Sequence, residues 1–194
     1  MLKLTYKGSV CMSVIVVLIL VFILFIVSIC KYNKMVKYRN KVKESLSLVD
    51  IHLKLRFDLI PNLVKVVKEY SKHENEVFSK LIETRKMAMN AENEKEKLEH
   101  ANELIPQMRH VIAIAEDYPE LKADALYRSL MEELVLIEDK LAASRRFYDS
   151  NVSEYNTLIT VFPNSMIASM FGFEEMELFK IDVGEGFNSK INLD

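Results

Sequence analysis

No glycine occurs between Gly8 and Gly172. A chain that runs this far without a residue suited to positive φ forgoes tight two-residue hairpin turns. It also cannot build the phosphate-cradling loops of nucleotide-binding folds. Long helices joined by short polar connections are the natural alternative.

Near the N-terminus, Lys7 and Lys31 enclose 23 uncharged residues, and Val14 to Val27 is an unbroken run of fourteen Val, Ile, Leu and Phe. At about 1.5 Å per helical residue the uncharged stretch reaches about 34 Å, against a hydrocarbon core of about 30 Å, and in lipid a helix satisfies its own backbone. A transmembrane helix is therefore predicted over Val10 to Cys30, preceded by a short flank at 1–9. The competing reading is a cleaved signal peptide. The run is long for one, and Val27-Ser28-Ile29-Cys30 lacks the small-x-small pattern of a cleavage site. Ile29 is also bulky where a lipidated cysteine needs a small neighbour, so Cys30 reads as a membrane-interface cysteine with no further role.

Lys3 and Lys7 precede the run, whereas Lys31, Lys34, Lys37, Arg39, Lys41 and Lys43 follow it. By the positive-inside rule the expected topology is single-pass in the cell membrane, N-terminus outside and the remaining chain cytoplasmic. The basic stretch would sit against anionic headgroups, each cation contributing about 1 kcal/mol. From Glu44 onward 18 Lys and Arg face 28 Asp and Glu. That balance argues against nucleic acid as a partner. The only cysteines, Cys11 and Cys30, lie in the apolar stretch, so the rest of the chain has no disulfide and no thiolate metal site.

Four stretches carry apolar residues three and four apart, predicting an all-α, up-and-down antiparallel four-helix bundle over 31–160. The first stripe is Val42, Leu46, Val49, Leu53, Phe57 and Ile60. The second is Leu63, Val67, Tyr70, Val77, Leu81 and Ile82, with a polar gap at His73-Glu74. A reversal near 58–61 is expected between them, with Asp58 capping and Pro61 in a first turn, in preference to one long helix kinked at Pro61. The third is Leu98, Ala101, Ile105, Met108, Ile112 and Ala115, with a bend at Pro106. After Tyr118-Pro119, the fourth runs Leu126, Leu130, Leu134, Ile137, Leu141, Ser144, Tyr148, Val152, Tyr155 and Ile159. Residues 161–194 form a tail with a short helix starting at Asn164 and an irregular end. Phe162, Phe171 and Phe173 form an apolar patch there that, with Phe179, either covers one bundle end or meets a partner.

The residues for three kinds of catalytic site are absent or otherwise explained. A bundle metal centre needs Glu-x-x-His, but the residues three before His52, His73, His100 and His110 are Val49, Tyr70, Lys97 and Gln107. A nucleophile elbow needs glycines the chain lacks. Glu132 and Glu133, or Glu138 and Asp139, fit a solvated helix face better than a catalytic pair. No enzyme activity, no cofactor and no metal are expected.

Arg56-Phe57-Asp58-Leu59-Ile60-Pro61-Asn62-Leu63, then His73-Glu74, then Tyr118-Pro119-Glu120-Leu121-Lys122-Ala123 resemble the signatures of the LemA family. Glu138-Asp139, Arg145, Tyr155-Asn156, Phe162-Pro163 and Phe171-Gly172-Phe173 follow in that family's order, so the resemblance covers about residues 35 to 175. Departures are Leu46 where the family has Trp, His52 where it has Gln, Glu69 where it has Gly, Asp149 where it has Asn, and Pro106. The resemblance implies a bacterial protein with an N-terminal membrane segment and a helical bundle, of unestablished molecular function. By association with membrane proteases and envelope proteins, it also implies a scaffold or adaptor.

Within the matching motifs Arg56, Asp58, Asn62, His73, Glu74, Arg145, Tyr155 and Asn156 are expected either to lock the bundle as a buried polar network or to present a partner surface. The expected function is a non-enzymatic interaction module whose partners are the lipid bilayer and a protein of the cell envelope. The alternatives are a small-ligand carrier or enzyme with a cavity inside the bundle, and a self-associating structural membrane protein forming a homo-oligomer.

Overall fold

The computed structural model describes residues 2–71 and 74–179, with side chains from Ile15 onward. His73 and the end of the tail, 180–194, lie outside the described residues. Among those described there are six helices and no strand. They are α1 (Leu2–Tyr70), α2 (Asn75–Asn90), α3 (Glu94–Glu116), α4 (Pro119–Ala123), α5 (Ala125–Thr160) and α6 (Asn164–Met170). One helix, α1, is long and apolar enough to cross a membrane, and none of its most apolar window is buried by the rest of the protein. That exposure distinguishes it from the core helix of a soluble domain, whose apolar face is covered.

The expected reversal at 58–61 does not occur. Pro61 lies inside α1, and the helix continues to Tyr70. A proline in a helix interior removes the N–H that would reach the carbonyl four residues earlier, here Phe57 O. Arg85 Nε of α2 donates to that oxygen at 2.5 Å, so the orphaned acceptor is satisfied from outside the helix. The chain breaks instead between Tyr70 and Asn75, across the gap that the second stripe skips, and Leu63, Val67 and Tyr70 therefore belong to α1.

Local signals set the remaining boundaries. Asn93 caps α3, its side chain accepting from Glu96 N at 2.9 Å, while Glu96 reaches back to Glu92 N at 3.2 Å. Pro106 lies inside α3, which runs on to Glu116. Pro119 occupies the first turn of α4, and Asp124 then starts α5 by accepting from Leu126 N and Tyr127 N at 2.8 and 2.9 Å. Gly172, at φ +68°, ends α6: Phe173 N donates to Ala168 O at 2.9 Å, the six-to-one bond of a Schellman turn.

The chain divides into two compact units. One comprises the chain up to Glu44 together with Tyr148–Leu178, and the other is built on Ser45–Phe147. In the second, hydrogen bonds set helix directions. Arg85 of α2 meets Phe57 while Phe78 and Ile82 wall a groove with Val64, so α2 returns along α1. Lys97 pairs with Asp50 and Arg56 with Ala101, so α3 follows the direction of α1. Ser144 meets His52 and Glu138 meets Arg56, so α5 runs against it.

The buried seam of α3 is Ala101, Leu104, Met108, Val111 and Ala115. The expected Ile105 and Ile112 are only half buried, because Leu104 and Val111 continue the same three-four spacing one position earlier. Leu126, expected in the core, is 59% exposed, and Tyr127 takes its place in phase with Leu130, Leu134, Ile137 and Leu141. Each fully buried Leu or Ile of these seams contributes roughly 1.5–3 kcal/mol relative to exposure. In the first unit Met35 and Val42 of α1 pack on Val152, Tyr155 and Ile159 of α5 and on Ala168 and Phe173.

Candidate functional site

The most polar buried side chain is Arg56, with no exposed surface. Its place on the inward face of α1, one turn from Leu53 and Ile60, follows from the same three-four spacing that buries them. Arg56 Nη1 donates to Glu138 Oε1 at 3.2 Å and Nη2 to Ala101 O at 2.6 Å, tying α1 to α5 and α3. Withdrawing a guanidinium and a carboxylate from water costs several kcal/mol each, so such a pair specifies register more than it adds stability.

One turn earlier His52 Nδ1 lies 3.2 Å from Ser144 Oγ. The Ser144 hydroxyl donates to Leu141 O at 2.9 Å, which makes His52 the donor in its own bond. Asp50 pairs with Lys97 of α3. Burial, and then the neighbouring Asp50 charge, push the Glu94 carboxyl above its usual range. These groups form a ladder of inter-helix pairs.

Asp58, on the outward side, sits 3.6 Å from Arg85 Nη2, and Asn62 is exposed. Glu74 is the N-cap position of α2 without a side-chain capping bond. The Arg145 guanidinium lies 5.9 Å from the centre of the Phe179 ring. The expected Arg56–Asp58–Asn62 cluster is thus divided, with Arg56 facing inward and the other two outward.

Tyr155 and Asn156 do a different job in the first unit. The Tyr155 hydroxyl donates to Glu174 O at 3.0 Å. The Asn156 amide donates to Met176 O at 2.8 Å and accepts from Met176 N at 2.9 Å, pairing with that backbone as a neighbouring strand would. Tyr148 donates to Glu177 O at 3.2 Å. Extended chain from Phe173 to Leu178 is thereby strapped along α5. Burial raises the Tyr155 phenol's pKa, opposed by the Arg39 charge.

Phe173 is buried at the head of the strap, 5.6 Å from the Tyr32 ring and 5.3 Å from the Arg39 guanidinium, so it does not belong to an exposed patch. Phe162 and Phe171 remain 80% and 52% exposed.

Two open grooves accompany these elements. One is walled by Val64, Phe78 and Ile82, the other by Tyr38, Leu158 and Val161. The first is also lined by Lys68, Glu83 and Lys86, and the second by Lys34 and Glu154. Among the described residues no group of three His, Cys, Asp or Glu is placed to hold a metal ion. Glu132, Glu133 and His110 are exposed, while His100 lies between Glu96 and Glu103 on one helical face.

The LemA family profile matches residues 45–192. The chain belongs to the LemA family. Protein LemA of Metamycoplasma hominis is 24% identical over 168 residues, covering 83% of this chain and 77% of that protein. Magnetosome protein MamQ of Magnetospirillum gryphiswaldense is 23% identical over 175 residues, covering 77% of this chain and 64% of that protein. Magnetosome protein MamQ 2 of Paramagnetospirillum magneticum is 23% identical, with 77% of this chain and 65% of that protein covered. The chain therefore spans slightly less than two thirds of the MamQ proteins it matches.

The motif around Pro61 acquires a physical meaning here: Arg56 is the buried inter-helix tie, and Pro61 creates the acceptor that Arg85 fills. Arg85 was not anticipated from sequence. Pro61 in a helix interior would have announced an orphaned Phe57 carbonyl, but not which of many cations answers it. The strap contacts of Tyr32, Arg39 and Tyr148 are likewise not visible in the sequence, since they are tertiary contacts alone.

Proposed function

We propose that this LemA-family chain is a membrane-anchored, non-enzymatic scaffold. In this reading Val10 to Cys30 crosses the cell membrane once, and an antiparallel four-helix bundle stands on the cytoplasmic side to bind another protein of the envelope. The observation that carries the reading is Arg56. It is the most chemically capable group of the family signature, yet it is wholly buried and bonded to Glu138 and Ala101. A guanidinium used to fix helix register is not free to bind substrate. The exposed apolar run of α1 and the six cations after it support the anchor and its orientation. Relatives bearing two different names, one of them a magnetosome protein, share the same region, which suits a structural part put to several uses.

The test is capture of the tagged full-length protein from detergent-solubilised membranes after crosslinking in cells, with protease access to the C-terminus reporting topology. A protein recovered in constant ratio is expected, together with a C-terminus protected in intact cells. Recovery of the chain with no companion, or only with copies of itself, would refute the scaffold reading.

A further inference from the structure

We infer that the corner between α5 and α6 dips into the interfacial layer of the bilayer, giving the protein a second membrane contact beside its anchor. The inference rests on the reading that α1 spans the membrane. No charge occurs between Glu154 and Glu174. Within that stretch Phe162, Met166 and Met170 are 80%, 67% and 70% exposed, a concentration of apolar surface that water disfavours.

The opposite face of α6 is committed: Asn164 and Ala168 are buried, and Ala168 packs with Met35 and Ile159. Met166 and Met170 are therefore held in place on a helix that cannot roll over to hide them, with Phe162 in the turn just before it. Their height is set by the Phe171 ring, 4.8 Å from that of Tyr32. Tyr32 is the second residue after Cys30, where the uncharged run ends. It falls at the headgroup level favoured by tyrosine, within one helical turn of Lys31 and Lys34.

The acidic residues that follow are carried away from this level. The Gly172 turn sends Glu174, Glu175 and Glu177 back along α5 toward Tyr155 and then Tyr148, opposite to the direction in which α5 approaches Tyr32. Apolar side chains, flanking cations and departing carboxylates fit an anionic bilayer surface.

The chain contains no tryptophan, so single tryptophans report depth without background. Phe162→Trp, Met166→Trp, Phe22→Trp and Ser150→Trp would each be made in the full-length protein. Each would be reconstituted in phosphatidylcholine–phosphatidylglycerol vesicles containing lipids brominated near the headgroup or near the chain end. Phe162→Trp and Met166→Trp should lose emission most to the shallow bromines, Phe22→Trp most to the deep ones, and Ser150→Trp to neither. If Phe22→Trp is quenched but both corner variants behave like Ser150→Trp, the inference is wrong and the anchor stands. If Phe22→Trp is not quenched either, both readings fall.

Discussion

Arg85 stands where a proline has left a carbonyl without a partner, and its value should depend on that proline. Arg85→Ala is expected to lower stability by about 1–2 kcal/mol. In a Pro61→Ala background residue 61 regains its own N–H, and the same change should cost less; urea midpoints of the four proteins in one double-mutant cycle measure the coupling. Arg56 and Glu138 are linked more tightly. Arg56→Met should cost about 3–5 kcal/mol because it strands a carboxylate with little exposure, while Arg56→Met with Glu138→Met should cost less than the single change, as chemical denaturation would reveal. Tyr127 makes the pH dependence testable. Burial, then the Glu116 charge, raise its phenol from 10.0 to about 12. A folded-state value above the unfolded one means that its contribution is complete below pH 10 and is lost as the pH climbs from 10 through 12. Tyr127→Phe should therefore flatten the loss of stability across that window, read by denaturation at stepped pH.

At the scale of elements, the three-four stripes of Val49–Ile60, Leu130–Leu141 and Val152–Ile159 were legible because helix burial has a period that sequence displays. What was not legible was phase and continuity. Leu98–Ala115 offered two seams one position apart, and only packing chose Leu104 and Val111 over Ile105 and Ile112. Pro61 is compatible with a helix start or a helix interior, and the donor deciding between them lies 24 residues downstream. The strap shows a third limit. Asn156 was visible in its motif, but a backbone partner at Met176 has no signature of its own. Two changes probe this element. Gly172→Ala forces a side chain into positive φ at a cost of about 1–2 kcal/mol. Asn156→Leu deletes both bonds to Met176. Each should speed cleavage after Glu174, Glu175 and Glu177 by a glutamate-specific protease, with the long helices still resistant.

For the whole molecule, the large apolar side chains from Ile15 to Ile29 are all exposed, whereas Met35 and Val42 are buried. A chain beginning at Lys31 should therefore keep a cooperative thermal transition by circular dichroism and need no detergent. One beginning at Ser45 should melt lower and less sharply, having uncovered Val152, Tyr155 and Ile159. The apolar stretch and the packed residues after it belong to one uninterrupted helix, with no glycine or proline between Gly8 and Pro61. Between Cys30 and Met35 there is consequently no swivel. In the membrane-anchored function proposed above, any twist imposed on the lipid-embedded length would be delivered as torque to the side chains gripping the end of α5, so the bilayer would hold this protein by a shaft and not by a tether.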